Sequence, residues 1–314
     1  MNRHHLHHGR GTIGSLNLLP LLACLLTFTA APADDQPTQP AAAEGAKPLP
    51  AGLRVLNAGN SWQTEDSGPL CTAAGITGHH KVRGEKLHVW DNLLPYLERG
   101  DIDVYVYGAH PTPIESWRPN TLPLLVATGP KHNPNFRVQF QMPWLVGDGR
   151  QGVTSAEQFN DTDLDAMQAA MDGLRKAQEA WADEVNAKAG KRVLVLVPLG
   201  DAMLTVRKMI KAGKFPGVVN QSGSIAPGQT ASSVLSGDIM PHQGALAGQL
   251  GRYMHFAAMY RMSPEGLDVK TDFTPEQTAA LKKLAWDTIS TYPYAGVAPS
   301  PGAPARSEPT PQRP

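Results

Sequence analysis

Along the chain, short apolar runs bounded by glycine alternate with longer stretches whose apolar residues recur at three- and four-residue steps. That alternation predicts strands and helices in turn. Leu53, Val55, Leu56 and Ala58, stopped by Gly59-Asn60-Ser61, read as a buried strand ending in a sharp turn. Ser67 stands where it would cap a helix through Leu70 and Ala74, which Gly75 ends. Residues 76–82 read as a second strand, and Gly84 follows it, where a bare backbone lets a ligand approach. Leu87, Trp90, Leu93, Leu94 and Leu97 predict a helix over residues 86–99, with Gly100 as its stop and Pro95 as a kink. Residues 103–107 are a third strand ending at Gly108-Ala109-His110, and residues 120–128 a helical segment. In residues 136–144, Phe136, Val138, Phe140 and Met142 alternate with polar neighbours as a fourth strand.

The longest helical pattern covers residues 155–189, with Leu164, Met167, Met171, Leu174, Ala177, Trp181 and Val185 on one stripe. Residues 192–198 are almost continuously apolar, as a central strand covered on both faces requires. A basic-ended helix over 202–212 and a loop over 215–229 follow. Helices over 242–260 and 274–292 close the pattern, the last with Thr274 as cap and Glu276 in its first turn. Strand and helix thus alternate, and residues 53–292 are expected to form a three-layer α/β domain with a mainly parallel sheet.

Composition changes the picture at the ends of the chain. The 314 residues could supply one large domain or two ordinary ones. Arg3 and Arg10 precede an apolar run at 16–31, and Ala31-Pro32-Ala33 fits a small-residue cleavage pattern, so residues 1–33 read as a secretory signal peptide. The run is short for a membrane span, which needs about 20 residues. Leu21-Leu22-Ala23-Cys24 offers a lipoprotein cleavage box as the alternative. Residues 34–52, rich in Pro, Ala and Gln, read as a flexible linker, and residues 293–314 as a disordered Pro/Ala-rich tail. A secreted or periplasmic protein with no membrane span in the mature chain is the expectation. Cys71 would be its one thiol, buried and inert, leaving core packing rather than a disulfide to hold the fold. The 28 Lys and Arg balance the 28 Asp and Glu without any basic stripe, so nothing points to nucleic acid or an anionic membrane as partner.

The chemistry concentrates on a few positions. A serine hydroxyl becomes nucleophilic when an imidazole takes its proton, and the imidazole works best when a carboxylate fixes its tautomer. Ser61, on the turn after the first strand, stands where an open α/β sheet faces its ligand crevice. Gly237-Asp238-Ile239-Met240-Pro241-His242 brings a carboxylate and an imidazole to one short loop far downstream. The backbone amides of Ser61 and Gly84, both at predicted strand ends, are candidate oxyanion donors. Taken singly, Ser61 reads first as a turn residue, and Asp238 with His242 equally as a cap and a surface histidine. Gln63 occupies the last position of a would-be Gly-x-Ser-x-Gly, so the nucleophile elbow of α/β-hydrolases is not supported. His79, His80 and His88 with Asp91 do not read as a metal site, because His79 and His80 would point to opposite faces of a strand. No phosphate loop, dinucleotide fingerprint or paired cysteine ligands appear, and no cofactor is expected.

Taken together and in order, these residues resemble the SGNH (GDSL-like) hydrolase family, in a secreted bacterial hydrolase-like branch. Gly59-Asn60-Ser61-Trp62 is similar to its first block, with Asn in place of the usual Asp. Gly84 falls where the second-block glycine would stand. Gly108-Ala109-His110 resembles the third block, with His for the usual Asn. Asp238 and His242 take the place of the last block, spaced one residue further apart than is usual. The resemblance extends over residues 53–267 and is carried further by residues 133–138, 214–217 and 260–267. It implies a flavodoxin-like fold with Ser61 as nucleophile, His242 as base and Asp238 as its orienter. The oxyanion donors it implies are the amides of Ser61 and Gly84, with His110 as a third. The expected function is an exported serine esterase acting on small oxygen esters of a small molecule or glycan, carbohydrate acetyl esters foremost. The irregular third and last blocks leave a non-catalytic carbohydrate or cell-envelope binding protein as the alternative.

Overall fold

A computed structural model describes residues 48–58, 61–63, 66–108, 121–149, 151–222, 233–240 and 242–297. The leader, most of the linker, Gly59, Asn60, His110 and the chain beyond residue 297 lie outside the described residues.

Five strands, β1 (Arg54–Asn57), β2 (His80–Lys81), β3 (Val104–Gly108), β4 (Arg137–Gln141) and β5 (Leu194–Val197), form one sheet in the order β2-β1-β3-β4-β5. Every neighbouring pair is parallel. Parallel neighbours need long crossovers. Helices α1 (Gly68–Ala73), α2 (Trp90–Glu98), α3 (Leu122–His132) and α4 (Leu164–Ala189) lie in those crossovers, and α5 (Leu199–Lys211), α6 (Ala245–Tyr260) and α7 (Pro275–Thr291) follow β5. The chain runs outward from β1 to β2, then returns past β1 to β3. In an open α/β sheet such a reversal leaves a crevice at the carboxyl ends of the two strands, and Ser61 lies just past the end of β1.

Side chains alternate across the strands, and the two faces feed two apolar clusters. Val55, Val104, Val106 and Val197 pack with Leu70 of α1, Met203 of α5, Leu250 of α6 and Leu281 of α7. Leu56, Tyr105, Val138, Phe140 and Leu196 pack with Leu93 of α2, Leu125 of α3 and Trp181 of α4. The molecule is therefore a three-layer α/β fold. Each fully buried large apolar side chain contributes about 1.5–3 kcal/mol.

Several elements differ from their predicted extents, each for a local reason. Residues 155–189 are two elements: a 3-10 turn, Ala156–Asp161, and then α4. Asp163 starts the second by accepting from the amides of Asp165 and Ala166, at 3.0 Å each. The edge strand β2 keeps two residues, its neighbour His79 being held by Tyr260 Oη at 2.7 Å. Helix α2 begins at Trp90 because Lys86 takes a left-handed conformation, φ 50°. Helix α5 starts earlier than expected, at Leu199, and α3 runs later, to His132. Gly52, placed in the linker from sequence, already donates its amide to Thr77 O at 2.9 Å. Past residue 292, Pro293–Ala295 form a 3-10 turn. Tyr292 and Tyr294 anchor that turn on Glu179 and Asp183 of α4, both at 2.9 Å. Cys71 is buried. Among the described residues no helix is long and apolar enough to cross a membrane.

One buried ion pair ties α5 to the loop that follows β4. Arg207 of α5 donates to both oxygens of Asp148, at 2.8 and 2.6 Å, and to Phe159 O at 2.9 Å. Its Nε reaches Gln221 Oε1 at 2.7 Å. A buried pair is tolerable when its remaining donors and lone pairs are satisfied, as they are here. From Gln221 the bonds continue through Asn160 to Ser222, whose hydroxyl donates to Ser236 O at 3.1 Å.

Candidate active site

The loop that holds Asp238 and His242 is a small excursion closed at its base. Leu235 and Gln243 form an isolated antiparallel bridge, and Ser236 N donates to His242 O at 2.8 Å. Gly244 N donates to Val234 O at 2.8 Å, leading directly into α6. At Gly244 a Cβ would sit 2.3 Å from Ser233 O, so the close approach needs glycine. Helix α6 thus begins at Ala245, and His242 lies in the loop ahead of it rather than in its first turn, where sequence periodicity put it.

Within that loop Asp238 collects three donors. Ser236 Oγ donates to Oδ2 at 2.7 Å, Met240 N to Oδ1 at 2.8 Å, and His242 Nδ1 to Oδ2 at 2.9 Å. Partial burial pushes the Asp238 carboxyl up, but the bonds from Ser236 and His242 and the charge of the imidazole outweigh it and hold the group below its ordinary value. A carboxylate only accepts, so the proton of neutral His242 resides on Nδ1 and Nε2 is left as an acceptor. Ser61 Oγ lies 3.0 Å from that Nε2. Serine, imidazole and carboxylate, drawn from opposite ends of the folded chain, therefore form one hydrogen-bonded line. The line is open to solvent: Ser61 is exposed, and the side chains of His242 and Asp238 are 31% and 45% exposed.

Below the serine the surroundings are dry. Trp62 is buried, its ring 5.0 Å from the His242 ring and 4.7 Å from that of Trp144. Its carbonyl accepts from Gln141 Nε2 at 2.5 Å, and Gly108 N at the end of β3 donates to Gln63 Oε1 at 3.1 Å. The segment that carries Ser61 is thus fastened to the ends of β4 and β3. Trp62, Gln63 and Gln141 were not singled out from sequence as site residues. The available signal was the polar pair Gln139 and Gln141 in a strand whose neighbours are apolar.

Gly84 lies three residues past β2, beside β1, and lines an open recess of about 520 Å³ with Asn57 and Ala58. A Cβ there would fall 2.8 Å from Tyr96 Oη and 2.9 Å from a Leu87 methyl, so a larger residue would displace the ends of those two side chains. His110 falls outside the described residues. A second groove of about 590 Å³ is lined by Gln63 and Gln243, chain neighbours of Trp62 and His242, together with Asp66, Arg252, Lys270 and Asp272. Gln63 Nε2 and Gln243 Oε1 are buried there without a protein partner. No group of three or more His, Cys, Asp and Glu side chains among the described residues is arranged to hold a metal ion. Burial, more than the charge of His80, pushes the His79 imidazole down.

No protein-family model matches the chain, and no curated protein matches it. Among solved structures it is similar to a DUF4886 family protein from Bacteroides uniformis, at 14% identity and a TM-score of 0.48. The match covers 76% of this chain and 95% of that one.

Proposed function

We propose that the protein is an exported serine esterase that hydrolyses small oxygen esters through an acyl-enzyme. The observation that carries this reading is the hydrogen-bonded line from Ser61 Oγ to His242 Nε2 (3.0 Å) and from His242 Nδ1 to Asp238 (2.9 Å). As Ser61 Oγ attacks the ester carbonyl, its proton passes to His242 Nε2, and the imidazolium is stabilised by the Asp238 carboxylate. The same Nε2–H then protonates the departing alcohol, leaving the acyl group on Ser61. A water, deprotonated by His242, attacks the acyl carbonyl and releases the acid and the free serine. The amides of Ser61 and Gly84 are the proposed donors to the oxyanion, each such donor being worth about 10²-fold or more in rate.

The mixed polar lining of the groove at Gln63 and Gln243, with two acidic and two basic side chains, favours a neutral hydroxyl-rich alcohol portion such as a glycan. Turnover of a chromogenic short-chain acyl ester, by the wild type and by Ser61→Ala, tests the proposal. The variant is expected to lose activity on the order of 10⁶-fold and to escape labelling by a fluorophosphonate that modifies the wild type stoichiometrically. Equal rates in the two proteins would remove Ser61 from the chemistry.

A further inference from the structure

Strand β4 carries two glutamines, Gln139 and Gln141, on the face it turns toward α6, and both are buried. Between them lies His255 of α6, with no solvent exposure. Its Nδ1 is 3.2 Å from Gln139 Oε1 and its Nε2 3.1 Å from Gln141 Oε1. A neutral imidazole donates from one nitrogen and accepts at the other, so both contacts cannot stand as drawn. The carbonyl of Trp62 decides between them. It can only accept, so Gln141 must present Nε2 to it, which turns Gln141 Oε1 toward His255. His255 therefore carries its proton on Nε2 and donates it to Gln141. Its Nδ1 is then an acceptor and requires Gln139 to present Nε2. Gln139 Nε2 is also the buried atom without a partner in the opposite orientation, so turning this one carboxamide gives it an acceptor in His255 Nδ1.

We infer that His255, through Gln141, is a positioning group for the nucleophile turn. It fixes the carboxamide that holds the Trp62 carbonyl, and with it the serine ahead of Trp62 and the indole against which His242 rests. His255 touches neither Ser61 nor any reacting atom. Burial pushes its imidazole down to about 3, so the ring stays neutral and the tautomer is retained wherever the triad can work. This inference rests on the esterase reading for its kinetic consequence but not for its geometry.

Gln141→Met in the full chain keeps the length and burial of the side chain and removes the donor. It is expected to lower kcat on the chromogenic ester about 10²-fold, the cost of a misplaced reacting group, with KM changed by less than about twofold. His255→Phe should match that loss. His255→Gln, which retains an N–H toward Gln141, should recover most of it. A structural role alone would move thermal stability without that split or that rescue. Ring resonances of His242, which feel the Trp62 ring current, are expected to shift in Gln141→Met. In ¹⁵N-histidine spectra of the wild type, His255 should carry its proton on Nε2. If the wild type turns over no ester, the esterase reading fails, while the His242 resonances still test the positioning. A folded Gln141→Met with wild-type kcat or unmoved His242 resonances, or a His255 protonated on Nδ1, overturns the inference. Should Gln141→Met not fold, His255→Gln against His255→Phe carries the same decision.

Discussion

Two histidines, one in the loop before α6 and one within it, share a side chain and little else. His242 is partly exposed, paired with a carboxylate on one nitrogen and a serine hydroxyl on the other. His255 has no exposure and meets only carboxamides. A carboxylate partner stabilises the cation that a general base must become, and water nearby lets the ring exchange its proton. Neutral amide partners in a dry setting do the reverse and freeze one tautomer. Environment, rather than residue type, separates a group suited to moving a proton from one suited to holding a loop.

The sharpest way to break that contrast is to remove the charge beside His242. Asp238→Asn is expected to lower kcat about 10⁴-fold, because a carboxamide can hold the wrong tautomer. Steady-state kinetics at neutral pH would measure this, and a loss under tenfold would mean the carboxylate is not orienting the base.

The second test uses acid. His255 has a folded value near 3 against an ordinary 6.5, so between those limits the unfolded chain binds a proton that the native state does not. Stability is then full above about pH 6.5 and falls as pH drops toward 3, by about 1.4 kcal/mol per pH unit at the steepest. Asp238, held below its ordinary 3.8, contributes stability that is present above that value and lost only as pH falls below it. Denaturant midpoints across pH 3–7 should show the steeper early loss in the wild type and a flatter profile in His255→Gln. An identical slope in both would exclude His255 as its source. The smallest effect is expected from Ser236→Ala, which removes one of three donors to Asp238. A loss of tenfold or less in kcat, with about 1 kcal/mol in stability, would be read by the same two assays.

Much of the frame was legible from sequence because it rests on period and on glycine. The apolar runs at 53–58 and 192–198 and the stripe of α4 identify buried strands and a core-facing helix wherever they occur. Ser61, Asp238 and His242 could be named because their chemistry demands that trio and their places suited a doubly wound sheet. What escaped was set by contacts between distant residues. The polar alternation in β4 marked one face as different without revealing that a buried histidine, far along the chain, covers it. The break at Thr162 was hidden because one apolar stripe continues across it, although Asp163 was a cap signal in plain view. Nor did the sequence show that Asp238 Oδ1 accepts from Met240 N and so curls the chain back on itself within the loop.

That curl has a consequence for change over generations. Ile239 and Met240 project from the tip, 51% and 41% exposed, while the stem is clasped below them by the Leu235–Gln243 bridge and the Gly244 amide. The side chains of the tip can be relettered with little penalty to the rest of the molecule, so that stretch of surface is free to drift while Asp238 and His242 keep their places.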